Sequence, residues 1–120
     1  MARILAVDDS NSIRQMVALT LRTEGYEVIE ATDGQEALEY ATENSADLAI
    51  VDVNMPRMDG IDLTRRLREL PEWKFTPILI LTTESSREKK MQGRAAGATG
   101  WITKPFDPDS LLATIRKVMP

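Results

Sequence analysis

The sequence contains no cysteine and no histidine. Without thiols there are no disulfides and no thiolate metal centres, and without imidazoles there are no Cys/His zinc sites, Ser-His-Asp triads or imidazole acid-base chemistry. Long apolar runs are missing too. Near the N-terminus the apolar stretch Ile4 to Val7 meets Asp8 and Asp9 after four residues, too short for a signal peptide or a membrane span, so a cytoplasmic location is expected. No linker, low-complexity tract or disordered charge block interrupts the chain. The net charge of −4 argues against non-specific nucleic-acid binding as the main activity.

What is present fits one domain, residues 1–120, and a 42% hydrophobic composition can support its core without covalent staples. Charge is unevenly placed. Residues 1–60 carry 4 basic and 12 acidic side chains, residues 61–120 carry 11 and 7. This division predicts an acidic pocket built from the first half and a basic face built from the second.

Short Val- and Ile-rich runs alternate five times with longer segments of helical period, the pattern of a parallel sheet covered by helices. The expected strands are Arg3 to Val7, Tyr26 to Ala31, Leu48 to Val51, Ile78 to Leu81 and Trp101 to Thr103. The first, third and fourth are almost continuously apolar, as strands buried on both faces are, which makes them central. Capping-box spacing occurs at Thr32 with Gln35 or Asp33 with Glu36, and again at Ser85 with Glu88. Asp107 followed by Pro108 reads as an N-cap with proline in the first helical position. Apolar stripes at Ile13, Met16, Val17 and Leu21, and at Leu111, Leu112, Ile115 and Val118 or Met119, are read as core-facing. Gly25, Gly97 and Gly100 mark helix ends or turns.

In an open parallel sheet, ligands bind beyond the carboxyl ends of the strands. The residues there are Asp8 and Asp9, Asp52, Thr82 and Lys104. Three carboxylates, a hydroxyl and an ammonium from four strand ends would share one small volume. Two carboxylates about 4 Å apart repel by roughly 4 kcal/mol at an effective dielectric of 20, so the cluster calls for a cation. An all-oxygen donor set suits Mg²⁺ and disfavours a soft or tetrahedral metal. Carboxylate, hydroxyl and ammonium beside Mg²⁺ suit phosphoryl transfer to a carboxylate nucleophile, with Lys104 and Thr82 meeting phosphoryl oxygens. Taken singly, Asp8 or Asp9 reads as a helix cap, Asp52 as a loop acid and Lys104 as a solvated lysine. Their joint placement at strand ends is what favours a site.

The pair Asp8-Asp9 followed by Ser10, the stretch Asp52-Val53-Asn54-Met55-Pro56 leading to Met58-Asp59-Gly60, Leu81-Thr82 and Lys104-Pro105-Phe106 together resemble the receiver domains of two-component response regulators, especially their stand-alone chemotaxis members. The spacing agrees as well, with 30 residues from Asp52 to Thr82 and 22 from Thr82 to Lys104. The resemblance implies a three-layer, doubly wound (βα)5 flavodoxin-like fold with strand order 2-1-3-4-5 and a cis Lys104-Pro105 bond. It implies that Asp52 accepts a phosphoryl group from a histidine kinase, here CheA-like. Asp9, Asp52 and the Asn54 carbonyl would hold Mg²⁺, with Asp8 acting through a water on the ion. It also makes Thr82 and Trp101 the switch pair, where the family more often has Tyr or Phe at the latter position. Asn54 and Glu84 would tune the acyl-phosphate lifetime towards rapid loss.

The resemblance further implies a monomeric signalling phosphoacceptor, not an enzyme with a substrate of its own. It would use small phosphodonors and lose the phosphoryl group by self-catalysis. Its output face would be the fourth helix, fifth strand and fifth helix, with Arg87, Lys89, Lys90, Arg94 and Trp101 meeting an acidic partner such as the flagellar motor switch. A phosphorelay intermediate would use the same pocket with a long-lived acyl phosphate. A metal-dependent phosphatase of the haloacid-dehalogenase type would want an acid two residues after the nucleophile, where this chain has Asn54.

Overall fold

Each of the three most apolar runs forms a strand buried on both faces, and together they make the middle of a five-stranded parallel sheet. A computed structural model describes residues 2–119. Strands β1 (Arg3–Val7), β2 (Glu27–Ala31), β3 (Leu48–Val51), β4 (Ile78–Thr82) and β5 (Gly100–Thr103) lie in the order β2-β1-β3-β4-β5. Every neighbouring pair is parallel. The crossovers are α1 (Asn11–Thr23), α2 (Gly34–Glu43), α3 (Gly60–Arg68) and α4 (Arg87–Ala96), and α5 (Pro108–Val118) follows the last strand. The alternating pattern led to the parallel sheet covered by helices, and the flavodoxin-like strand order is the one the resemblance implied.

Strand alternation divides the core in two. Leu5, Val7, Ala49, Val51, Ile78 and Ile80 face α2, α3 and α4, where Ala37, Ala41, Ile61, Leu63, Leu67 and Ala96 meet them. Ile4, Ala6, Leu48, Ile50, Leu79 and Leu81 face α1 and α5, packing on Val17, Ala18, Leu21, Leu111, Leu112 and Ile115. Trp73 closes the first layer from a short 3-10 turn, Pro71–Trp73, its indole N–H donating to the carbonyls of Ala41 at 3.2 Å and Asn44 at 3.0 Å. Among the described residues no helix is long and apolar enough to cross a membrane.

Several local expectations shift. Tyr26 lies just outside β2, while β4 extends to Thr82 and β5 begins at Gly100. Gly100 is therefore a strand residue and not a turn; a Cβ there would meet Leu79 Cδ2 at 2.9 Å. Gly25 and Gly97 do end helices, at φ of +90° and +110°. Helix α4 is capped by Ser86, whose hydroxyl accepts from the Lys89 amide, not by Ser85 one residue earlier. At α2, Asp33 caps the Glu36 amide at 2.8 Å, but the Glu36 carboxylate reaches back to the Thr32 amide at 2.9 Å, so the two candidate boxes merge into one. Asp107 caps α5 with Pro108 in the first turn, and Lys104-Pro105 is cis, both as expected.

Met16 is a correction of more consequence. It is 55% exposed, because the buried stripe of α1 runs through Arg14, Val17, Ala18 and Leu21. A guanidinium occupies a core-facing position that the apolar pattern had not assigned to it.

Candidate functional site

Sheet register builds the site. Val7, Val51, Ile80 and Trp101 stand level across β1, β3, β4 and β5, so Asp8 and Asp52 leave adjacent strands side by side. Thr82 and Lys104 come from the neighbouring strand ends, where the Lys104 amide donates to the Thr82 carbonyl at 2.7 Å. One carboxylate oxygen from each of Asp8, Asp9 and Asp52 falls within 4.8 Å of the other two.

The three acids are held very differently. Asp8 is buried and both its oxygens are engaged, one accepting from the Ser10 amide at 2.9 Å and the other from Lys104 Nζ at 2.8 Å. Asp9 is exposed. Asp52 is buried, its Oδ2 lies 3.5 Å from Lys104 Nζ, and its Oδ1 has no hydrogen-bond partner among the described residues. Burial pushes the Asp52 carboxyl above its ordinary range and the charge on Asp8 adds to this, while the Thr82 hydroxyl, Lys104 and the Asn54 amide pull it back. Thr82 is fully buried; its oxygen accepts from the Glu84 amide at 3.2 Å, and its hydroxyl stands close enough to Asp52 to hold that carboxyl down.

These features fit a hard divalent cation. All donors are oxygens, three negative charges converge on one ammonium, and a buried carboxylate oxygen lacks the partner that buried polar atoms normally have. The Asp52 loop is locked from below. Gly60, capped into α3 by Asp59, donates its amide to the Val53 carbonyl at 2.9 Å, and a Cβ on it would stand 2.0 Å from the Asp52 carbonyl oxygen. Asn54 is exposed on that loop beside the acids.

Away from the acids, Trp101 is half-buried, with its indole N–H donating to the Glu84 carbonyl at 2.9 Å and its ring lying against Gly93 of α4. It joins Arg87, Lys90, Met91 and Arg94 in lining a groove of about 250 Å³ between α4 and β5. Lys89, counted with these bases from sequence, is half-buried and does not line the groove. Met91 was not foreseen and is 61% exposed. Arg14, also not foreseen, donates to the Asp8 carbonyl at 2.7 Å. An arginine interrupting an apolar helix stripe was the signal available for it.

A family described as "Response regulator receiver domain" matches residues 4–116. The structure superimposes on the chemotaxis protein CheY4 of Vibrio cholerae with a TM-score of 0.95 at 55% identity, covering 99% of each chain. It is also similar, at a TM-score of 0.90 and 27% identity over 97% of this chain and 95% of the other, to the receiver domain of sensor histidine kinase PA1611 from Pseudomonas aeruginosa PAO1, whose structure has a magnesium ion coordinated in the active-site cleft. Response regulator MprA of Mycobacterium leprae is 41% identical over 117 residues, which are 98% of this chain and 50% of that protein. The chain spans about half the length of the curated relatives it matches. By its strand order, the convergence of Asp8, Asp9, Asp52, Thr82 and Lys104, and these likenesses, the chain belongs to the response-regulator receiver domain family.

Proposed function

We propose that Asp52 is the phosphoacceptor of this receiver domain, taking a phosphoryl group from a histidine kinase. The observation that carries the reading is the buried Asp52 Oδ1 without a partner, in a carboxylate that already faces Lys104 and lies beside two further acids. A carboxylate oxygen of Asp52 attacks phosphorus, the P–N bond of a phosphohistidine breaks, and its electron pair stays on the departing imidazole, which takes up a proton. Lys104 and the Thr82 hydroxyl meet two of the phosphoryl oxygens. Receiver domains bind Mg²⁺ at an acidic pocket, and here Asp9, Asp52 and the Asn54 carbonyl would hold it. Asp8, with both oxygens already engaged, would act through a water. Bound there, Mg²⁺ supplies neutralising charge for the acids and for the phosphoryl donor.

Phosphorylation adds negative charge and new acceptor oxygens at Asp52, and drawing Thr82 towards them competes with its bond from the Glu84 amide. The Glu84 carbonyl holds Trp101, so the change passes to the groove between α4 and β5. The bases lining that groove suit an acidic segment carrying an apolar side chain. With 55% identity to CheY4, the flagellar motor switch is the partner this face favours, and a CheA-like kinase the donor. Asn54 and Glu84 set the lifetime of the acyl phosphate.

Intact-mass measurement and tryptophan fluorescence with Mg²⁺ and acetyl phosphate test this directly, comparing wild type with Asp52→Asn and Trp101→Phe. The expected result is a Mg²⁺-dependent gain of one phosphoryl mass that is absent in Asp52→Asn, with a fluorescence change that is absent in Trp101→Phe. A wild type that binds Mg²⁺ but is never modified would overturn the phosphoacceptor assignment. Decay within seconds to minutes after donor removal marks a messenger, and hours would mark a relay.

A further inference from the structure

We infer that Arg14 is a positioning residue for the metal site: it grips the peptide that joins the two acids after β1 and thereby fixes where Asp9 points. The inference rests on the Mg²⁺ reading of the acid cluster. Burying a guanidinium is costly unless its donors are met, and here three acceptors from three parts of the fold meet them. Nε donates to Glu30 on β2 at 3.1 Å, Nη1 to the Asp8 carbonyl at 2.7 Å and Nη2 to Asn11 Oδ1 at 2.7 Å. The Arg14 side chain is 8% exposed.

The Asp8 carbonyl belongs to the peptide group that continues into Asp9, so Nη1 holds the orientation of that peptide plane. This matters because the two acids are restrained so unequally. The Asp8 carboxylate has the Ser10 amide and Lys104 as fixed partners, whereas the exposed Asp9 carboxylate is placed chiefly by its backbone. Glu30 anchors the guanidinium from the sheet and is itself shared with Arg22 at 3.2 Å.

The sign of the effect separates positioning from charge. A positive charge near the acids opposes a dication, so if Arg14 acted only through its charge, removing it would tighten Mg²⁺ binding. If it positions Asp9, removing it weakens binding. A merely structural arginine would lower the melting temperature and leave Mg²⁺ affinity unchanged.

The experiment is Mg²⁺ titration calorimetry on the full chain, with thermal melts in EDTA beside it, for wild type, Arg14→Met, Arg14→Lys, Glu30→Ala, Asp9→Asn and the double variant Arg14→Met/Asp9→Asn. The expected outcome is a Kd raised about tenfold in Arg14→Met, the low end of what outer partners of metal ligands contribute, with smaller rises in Arg14→Lys and Glu30→Ala. The double variant should bind no more weakly than Asp9→Asn alone, since Arg14 acts through Asp9. Should Arg14→Met fail to fold, Arg14→Lys, which keeps the charge and loses the fork, carries the test by itself. Unchanged or tighter Mg²⁺ binding in every folded Arg14 variant overturns the inference whatever Glu30→Ala does, since losing that carboxylate weakens cation binding through its charge alone. Failure of the wild type to bind Mg²⁺ removes the metal reading and the inference together, and is distinguished by the wild-type titration alone.

Discussion

Replacing the central carboxylate should make the metal-free protein more stable. In Asp52→Asn the perturbation removes one buried negative charge and keeps the side chain's shape. A carboxylate oxygen of Asp52 lies within 4.8 Å of one from Asp8, a repulsion of roughly 3–4 kcal/mol at an effective dielectric of 20. Lys104 Nζ at 3.5 Å from Asp52 returns about 5 kcal/mol on the same scale, and the excess of roughly 1–2 kcal/mol is offset by Asp9, exposed and solvent-screened but also within 4.8 Å, so the charges nearly cancel. What remains is the burial of the charge itself, which a neutral amide of the same shape does not bear, worth about 1–3 kcal/mol. For a domain of this size that corresponds to a melting temperature higher by roughly 4–12 °C. The pH dependence follows from the sign of the shift. Because burial raises the Asp52 carboxyl, the wild type is not penalised while Asp52 is protonated, and the penalty develops as pH rises through its folded value. The variant's advantage should therefore be full at neutral pH and fade on acidification. Thermal melts in EDTA across that range measure it, and Mg²⁺ should then narrow or reverse the order, since at 100 times its Kd a ligand stabilises by about 2.7 kcal/mol. A variant no more stable than wild type at neutral pH in EDTA would refute the account of Asp52 as an electrostatically costly residue.

Gly60→Ala should cost more than about 3 kcal/mol, because its Cβ would meet the Asp52 carbonyl at 2.0 Å and Val51 Cγ1 at 2.9 Å and backbone cannot yield as a side chain can. Chemical denaturation and Mg²⁺ titration should both register it, and a near-neutral result would show that α3 does not lock the Asp52 loop. Gly93→Ala places a Cβ 2.7 Å from the Trp101 ring; the ring should leave its place and surrender the indole bond to Glu84, at a cost of about 1–3 kcal/mol. The Trp101 indole N–H resonance reads this against buried Trp73, and an unmoved resonance would refute it. Arg57 sits at φ 67°, in the left-handed region that side chains other than Asn and Gly resist, so Arg57→Asn should raise stability by about 0.5–1 kcal/mol in urea denaturation, and a loss would mean the Arg57 side chain matters more than its backbone strain.

The acids and Lys104 were legible because strand ends are legible: apolar runs stop where the chain leaves the core, and parallel register then aligns the stopping points. Asp8 and Asp52 need only Val7 and Val51 to stand level, which two central strands of similar length ensure. Arg14 was hidden by the same logic, since an apolar pattern marks which positions are oily and not which polar residue the fold can satisfy. Its burial depends on Glu30, 16 residues away on another element. Met16 is the other side of this error, an apolar residue turned outward because the buried stripe rotates to admit Arg14. Gly60 and Gly93 were opaque for a related reason, as neither adopts a positive φ and their role is the space they leave for the Asp52 carbonyl and the Trp101 ring.

The site also explains why its own cation is an amine on a flexible stem. Three converging carboxylates would burden a fold that had no resident counterion, and Lys104, 2.8 Å from Asp8 and 3.5 Å from Asp52, supplies one whenever metal is absent. Arginine in that role would engage a carboxylate through a rigid two-pronged fork, which is hard to release. An ammonium is a point charge whose donors turn freely, so under the proposed function it would give up the carboxylates to a divalent ion and turn to phosphoryl oxygens with no new geometry to build. Asp8 keeps the Ser10 amide through such an exchange, and Asp52, with no partner on Oδ1, has least to lose. On the proposed reading, the carboxylate that would act as the nucleophile is thus the least satisfied of the buried pair.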